Sequence, residues 1–146
     1  MKLDATPLIG QAITSVDKKD FSWFFVFDNG DQIVTESPWR LVTDQGIVVT
    51  SEDHEQSFGL PLPVDATESV KATLGSTPIT DIHDDTKTGD LFIRFSGGRH
   101  LQFLQLSSGY EGWRLRIGDC EFICKGGGGY TSFPRQNTNS SVHRIT

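Results

Sequence analysis

The chain has 146 residues, a formal charge of −6, 36% apolar residues including ten Phe and three Trp, and two cysteines. That length and aromatic content fit one domain with its own core, and they argue against a disordered or disulfide-stapled chain. The negative charge argues against nucleic acid or an anionic membrane as partner, because phosphate binding needs a positive surface.

The charge is unevenly spread. All nineteen acids and eleven of the thirteen basic residues precede Gly126, so the body carries −8 and the remainder +2. An acidic body suits a basic protein partner and also keeps a surface soluble. No apolar run approaches the roughly 20 residues of a membrane span, and residues 1–10 lack the pattern of a signal peptide. Cys120 and Cys124 fall in one expected strand, about 13 Å apart, whereas a disulfide needs Cα atoms within about 7 Å. Both are expected to be reduced core thiols, which points to the cytoplasm.

In chain order, the first expected strands are Ile13-Thr14-Ser15-Val16 and Trp23-Phe24-Phe25-Val26-Phe27. The second is apolar on both faces, as a central strand buried on both sides would be. Asn29-Gly30 is the signature of a type I′ hairpin turn. Trp39, Leu41, Ile47 and Val49 then share one face across the loop Asp44-Gln45-Gly46. Residues 64–74 read as a helix, with Asp65 as cap, Glu68 at the capping-box position, Ala66, Val70 and Leu74 as a narrow apolar stripe, and Gly75 beyond its end. Further strands follow at Ile79-Thr80-Asp81-Ile82 and Leu91-Phe92-Ile93-Arg94-Phe95. Gly118-Asp119 suits a type II′ turn that places Ile117 opposite Cys120, Leu115 opposite Phe122 and Trp113 opposite Cys124. Arg116 then faces Glu121 on the opposite side.

The order of elements repeats. Residues 8–62 and 75–125 each run strand, apolar strand, Gly-containing turn and a Trp-Arg-Leu, at Trp39-Arg40-Leu41 and Trp113-Arg114-Leu115. The second unit is about six residues longer, the extra ones lying near residues 106–111. The fold class expected is therefore mainly β, as two repeated antiparallel β-meander units joined by one short helix in a single domain of residues 1–125. Residues 126–146, which open with Gly126-Gly127-Gly128-Gly129, read as a flexible tail, with docking on the body through Tyr130 and Phe133 as the alternative.

Two segments gather functional groups. Asp53, His54 and Glu55 carry acid–base and metal-ligand chemistry, but neighbours on an extended chain point to opposite faces, and no partner His-x-His or Cys-x-x-Cys is present. The plain alternative is a polar loop in which His54 bonds the backbone. Ser108-Gly109-Tyr110-Glu111-Gly112 lies in the longer unit, where Tyr110 and Glu111 are placed to face a partner, or else to pack inward as part of a wide turn.

Three stretches, Ser37-Pro38-Trp39-Arg40-Leu41, Ser51-Glu52-Asp53-His54 with Phe58-Gly59-Leu60-Pro61-Leu62-Pro63-Val64-Asp65, and Ser108-Gly109-Tyr110-Glu111-Gly112-Trp113, resemble a family of small bacterial proteins of unknown function. The resemblance spans residues 8–125 and implies no activity or catalytic residue. By analogy of size and charge alone, it admits an immunity-like role against a toxin or enzyme. The expectation is a non-enzymatic protein-binding module using Tyr110, Glu111, Asp53, His54 and Glu55, with no cofactor and no metal. The alternatives are a small metal- or acid/base-dependent enzyme built on Asp53, His54 and Glu55, or an oligomeric accessory subunit.

Overall fold

The computed structural model describes residues 3–134. Two antiparallel sheets face each other across one shared core. The first half supplies β1 (Ile13–Lys19), β2 (Ser22–Phe27), β3 (Gln32–Thr35), β4 (Trp39–Thr43) and β5 (Gly46–Thr50), followed by helix α1 (Ala66–Leu74). The second half supplies β6 (Ile79–Asp84), β7 (Leu91–Phe95), β8 (Arg99–Phe103), β9 (Arg114–Ile117), β10 (Cys120–Cys124) and β11 (Tyr130–Pro134). One sheet has the order β1-β2-β3-β9-β10-β11 and the other β5-β4-β8-β7-β6.

The halves are therefore not separate meanders. Each builds a three-stranded meander in one sheet and sends its last strands into the other, where β3 pairs with β9 and β4 with β8. Alternation along the strands explains the core. Trp23, Phe25 and Phe27 point inward from β2, and Leu91, Ile93 and Phe95 from β7. Phe25 bridges the sheets, meeting Trp39 and Phe103 edge to face at centroid distances of 5.2 and 5.0 Å. Helix α1 buries Ala66, Val70 and Leu74 and packs on β1 and β5, the two sheet edges on its side.

Trp39 and Trp113 occupy matching places in chain order and are both buried. Their indoles are satisfied differently. Trp113 Nε1 donates to the Gly89 carbonyl at 2.7 Å, whereas Trp39 Nε1 has no hydrogen-bond partner among the described residues, and its ring is packed edge to face by Trp23 and Phe25. The β9–β10 register has Ile117 opposite Cys120, Arg116 opposite Glu121 and Leu115 opposite Phe122, and Cys124 N donates to Trp113 O at 3.0 Å.

Several expectations need correction. Phe24 and Val26 are only half-buried, because β2 lies on a sheet with one outward face rather than between two layers. Ile47 is 58% exposed: a bulge between Leu41 and Val42 sets Leu41 opposite Val49 but Val42 opposite Ile47. The Asn29-Gly30 turn is not type I′. Gly30 N donates to Phe27 O, Phe27 N donates to Asp31 O, and only Gly30, at φ +89°, is left-handed, which is a three-residue turn closed by a bulge. Asn29 is held instead by Asp31, whose N–H donates to its Oδ1 and whose carboxylate accepts from its Nδ2. Cys120 is exposed and only Cys124 is buried. Burial pushes the Cys124 thiol up to about 11, so it carries almost no thiolate near neutral pH.

The largest correction concerns the segment read as a flexible tail. Gly126 and Gly128 are tightly packed, and Tyr130–Pro134 pairs with β10 along its length as an edge strand, with Tyr130 set edge-on to Phe122 at 5.7 Å. Without β11, β10 would present its backbone as an open edge. A side-chain carbon on Gly126 would collide with the Gly109 carbonyl carbon, and one on Gly128 would collide with Lys87 O. Here glycine serves close approach, not freedom. The rest of the segment expected to be flexible, residues 135–146, lies outside the described residues.

Gly128→Ala adds a clash to a left-handed backbone at φ +114° and should destabilise the protein by about 2 kcal/mol or more. Gly109→Ala has open space and should stay within about 1 kcal/mol. Equal denaturation midpoints for the two variants would contradict this packing.

Candidate functional site

The groove that best qualifies as a site opens where two strands part. Pairing of β3 with β9 runs through Gln32–Arg116 and Ile33–Leu115 and stops at Val34–Arg114. Beyond that pair, residues 34–38 turn one way and residues 105–112 the other. A groove of about 620 Å³ lies between them, lined by Glu36, Pro38, Leu106, Tyr110, Glu111 and Arg114 among others.

The wall formed by residues 105–112 is built from hydrogen bonds. Gln105 donates through Nε2 to the carbonyls of Tyr110 (2.9 Å) and Lys125 (2.8 Å), and its Oε1 accepts from Ser107 N. The Gln105 backbone N–H donates to Asp90 Oδ1 at 2.8 Å. Ser107 Oγ accepts from the N–H groups of Gly109 and Tyr110, and Ser107 O accepts from Gly127 N. Gly126 lies directly against Gly109. From this fixed backbone Tyr110 projects 82% exposed and Leu106 73% exposed. Glu111 is also exposed and shares a 3.4 Å ion pair with Arg114. The inward-packed alternative for Tyr110 therefore does not occur.

Asp53, His54 and Glu55 do not line this groove. A single turn of 3-10 helix, Ser51–Asp53, follows β5, and Asp53 Oδ2 accepts from Thr50 N at 2.9 Å in a capping box. Ser51 Oγ accepts from Trp39 N at 3.1 Å, tying that turn to β4. His54 Nδ1 accepts from Ala66 N at 3.0 Å, and its ring meets Trp23 edge to face at 5.2 Å. His54 Nδ1 thereby satisfies one of the N–H groups that the first turn of α1 leaves without a helical partner. Glu55 is exposed at φ +69°, and its N–H donates to Val64 O, closing the neck of the loop between them. Each of the three serves a separate local bond.

Asp65 completes the helix cap, accepting from Thr67 N and Glu68 N. The Thr67 hydroxyl bond first, and those backbone N–H groups with it, hold its carboxyl below the ordinary 3.8. Sequence reasoning missed Leu106 and Glu36 as groove residues. A lone Leu in an irregular stretch and a Glu two positions before a Pro carry no local signature.

Among the described residues, no three His, Cys, Asp or Glu side chains come together to hold a metal ion, and no helix is long and apolar enough to cross a membrane. Compared with protein-family models, curated proteins and solved structures, the chain gives no match.

Two variants test the cap. His54→Phe keeps a ring against Trp23 but removes the acceptor for Ala66 N, and should cost about 1–2 kcal/mol in denaturant unfolding. Asp65→Ala should cost about 1 kcal/mol at pH 7. Because the folded carboxyl titrates below 3.8, its contribution is present above that pH and is lost as pH falls through the lower folded value. The gap between wild type and Asp65→Ala should therefore shrink in acid; a gap that widens below pH 4 would contradict the assignment.

Proposed function

We propose that the chain is a non-enzymatic protein-binding module, of an immunity-like kind that occludes a toxin or enzyme, with the groove beside Tyr110 as its contact surface. The observation that carries this reading is the contrast within one loop. Residues 105–112 use side-chain and backbone hydrogen bonds to fix their own path, yet Tyr110 and Leu106 are turned out to solvent. A rigid apolar projection loses little conformational entropy on docking, which is the property of an interface anchor. The overall charge of −6 favours a basic partner. The stretches that carry the resemblance to small bacterial proteins support the same surface. Ser37, Pro38 and residues 109–112 of those stretches line the groove, and Ser51 is bonded to Trp39 beside it.

An oligomeric accessory subunit is a second reading, favoured by one observation: β5 is a sheet edge and carries Ile47 and Val48 exposed. The enzymatic reading of Asp53, His54 and Glu55 has less behind it, because the Asp53 and His54 side chains each accept a structural backbone bond, which leaves the exposed Glu55 carboxylate without their help.

Capture of partners by the immobilised chain from the cells that encode it, identified by mass spectrometry, tests the proposal. Tyr110→Ala should unfold within about 1 kcal/mol of wild type yet weaken capture by about 2 kcal/mol or more. Trp113→Ala, by contrast, should cost about 3–5 kcal/mol of stability. Large and equal stability losses for both, with capture intact, would make the loop a packing element and end the interface reading.

A further inference from the structure

We infer that the groove continues past Glu36 into a second hollow, and that the furrow so formed takes a short extended segment of the partner with a Lys or Arg between two apolar side chains. This rests on the protein-binding reading and names the chemistry of its ligand. The second hollow, of about 280 Å³, is lined by Lys18, Phe21, Trp23, Glu36, Pro38, Ser51 and Glu52. Glu36 and Pro38 also line the groove, so the two hollows meet at that pair.

Each hollow has an aromatic displayed to solvent. Tyr110 borders the first, and Phe21, 80% exposed, borders the second. Phe21 is fixed by its turn. Lys19 pairs with Ser22, leaving Asp20-Phe21 as a two-residue hairpin loop with Asp20 left-handed at φ +56°. A large apolar side chain at the tip of a tight turn contributes nothing to the core. Like Tyr110, it is held in a defined place and left open.

Charge fixes the middle of the ligand. Glu36 is exposed and makes no ion pair among the described residues, and Glu52 is exposed at the far wall. The cations nearby are already engaged: Arg114 with Glu111, and Lys18 over the Trp23 ring at 5.6 Å. An incoming cation thus meets Glu36 where the hollows join, with an apolar side chain on each side of it reaching Tyr110 and Phe21.

The test is selection of a phage-displayed random twelve-residue peptide library on the intact chain. The enriched peptides should carry Lys or Arg with an aromatic or aliphatic residue within three positions on each side. A synthetic peptide of the consensus should bind Glu36→Gln, Phe21→Ala and Tyr110→Ala at least tenfold more weakly than wild type. All three variants should keep the wild-type melting temperature, and Glu68→Gln on the helix should bind like wild type. Binding lost in Tyr110→Ala but unchanged in Glu36→Gln and Phe21→Ala would remove the furrow and leave the groove reading standing. Indifference to all three would remove both. Absence of enrichment, consensus peptides without a basic residue, or an equal loss in Glu68→Gln, which would reveal bulk charge attraction, would each overturn the inference.

Discussion

The pairing of β3 with β9 is the constraint on which most of this molecule depends. Gln32–Arg116, Ile33–Leu115 and Val34–Arg114 join segments some eighty positions apart in the chain, and they do so in the middle of a six-stranded sheet. Leu41–Leu101 and its neighbours do the same for the other sheet through β4 and β8. Neither half can close its own hydrogen-bond ladder, because each places its last strands in the opposite sheet. An edge of a three-stranded meander would otherwise expose both backbone groups and the flank of the core. The same pairing locates the groove. Where it stops at Val34–Arg114, the two chains diverge and enclose space.

Close packing of small residues fixes the wall of that groove. Gly89 offers its carbonyl to Trp113 Nε1 and to the Cys124 thiol, and any side-chain carbon on it would meet Cys124 Sγ at 2.8 Å. Gly126 and Gly128 bring the chain between β10 and β11 against Gly109 and Lys87. Gln105 then binds carbonyls on both sides of this junction. The result is a loop outside the sheets whose backbone path is held by hydrogen bonds while the Tyr110 side chain stays exposed. Its buried counterpart across the fold shows what such satisfaction is worth: Trp39 Nε1 lacks the partner that Trp113 has, an omission that ordinarily costs about 1–3 kcal/mol.

Side chains that look chemical in a sequence are here absorbed by architecture. His54, flanked by Asp53 and Glu55, has the composition of an acid–base site, but its Nδ1 is taken by Ala66 N and Asp53 by Thr50 N. These bonds connect the end of β5 to the start of α1. Asp31 plays a similar part at another turn: buried, it accepts from Asn29 Nδ2 and from Gly118 N, coupling the β2–β3 and β9–β10 turns.

By itself, the sequence determined whatever is set by neighbours along the chain. The Gly118-Asp119 turn fixed the β9–β10 register, and Asp65 with Ala66, Val70 and Leu74 fixed α1, whereas Trp23-Phe24-Phe25-Val26-Phe27, apolar at every position, left the inward face of β2 to the sheet it joins. For residues 106–111 the sequence left two outcomes open, Tyr110 facing outward or packed inward, and the fold decided for the first. What only the tertiary structure decided depends on contacts between distant segments. The exchange of strands between sheets, the bulge that turns Ile47 outward, the docking of β11 and the meeting of Glu36 with two hollows have no local signature. The four glycines at 126–129 are the sharpest case. In sequence they read as flexible, since glycine is the least restrained residue. In the fold Gly126 and Gly128 are confined, because glycine alone lacks the side-chain atom that Gly109 and Lys87 O leave no room for.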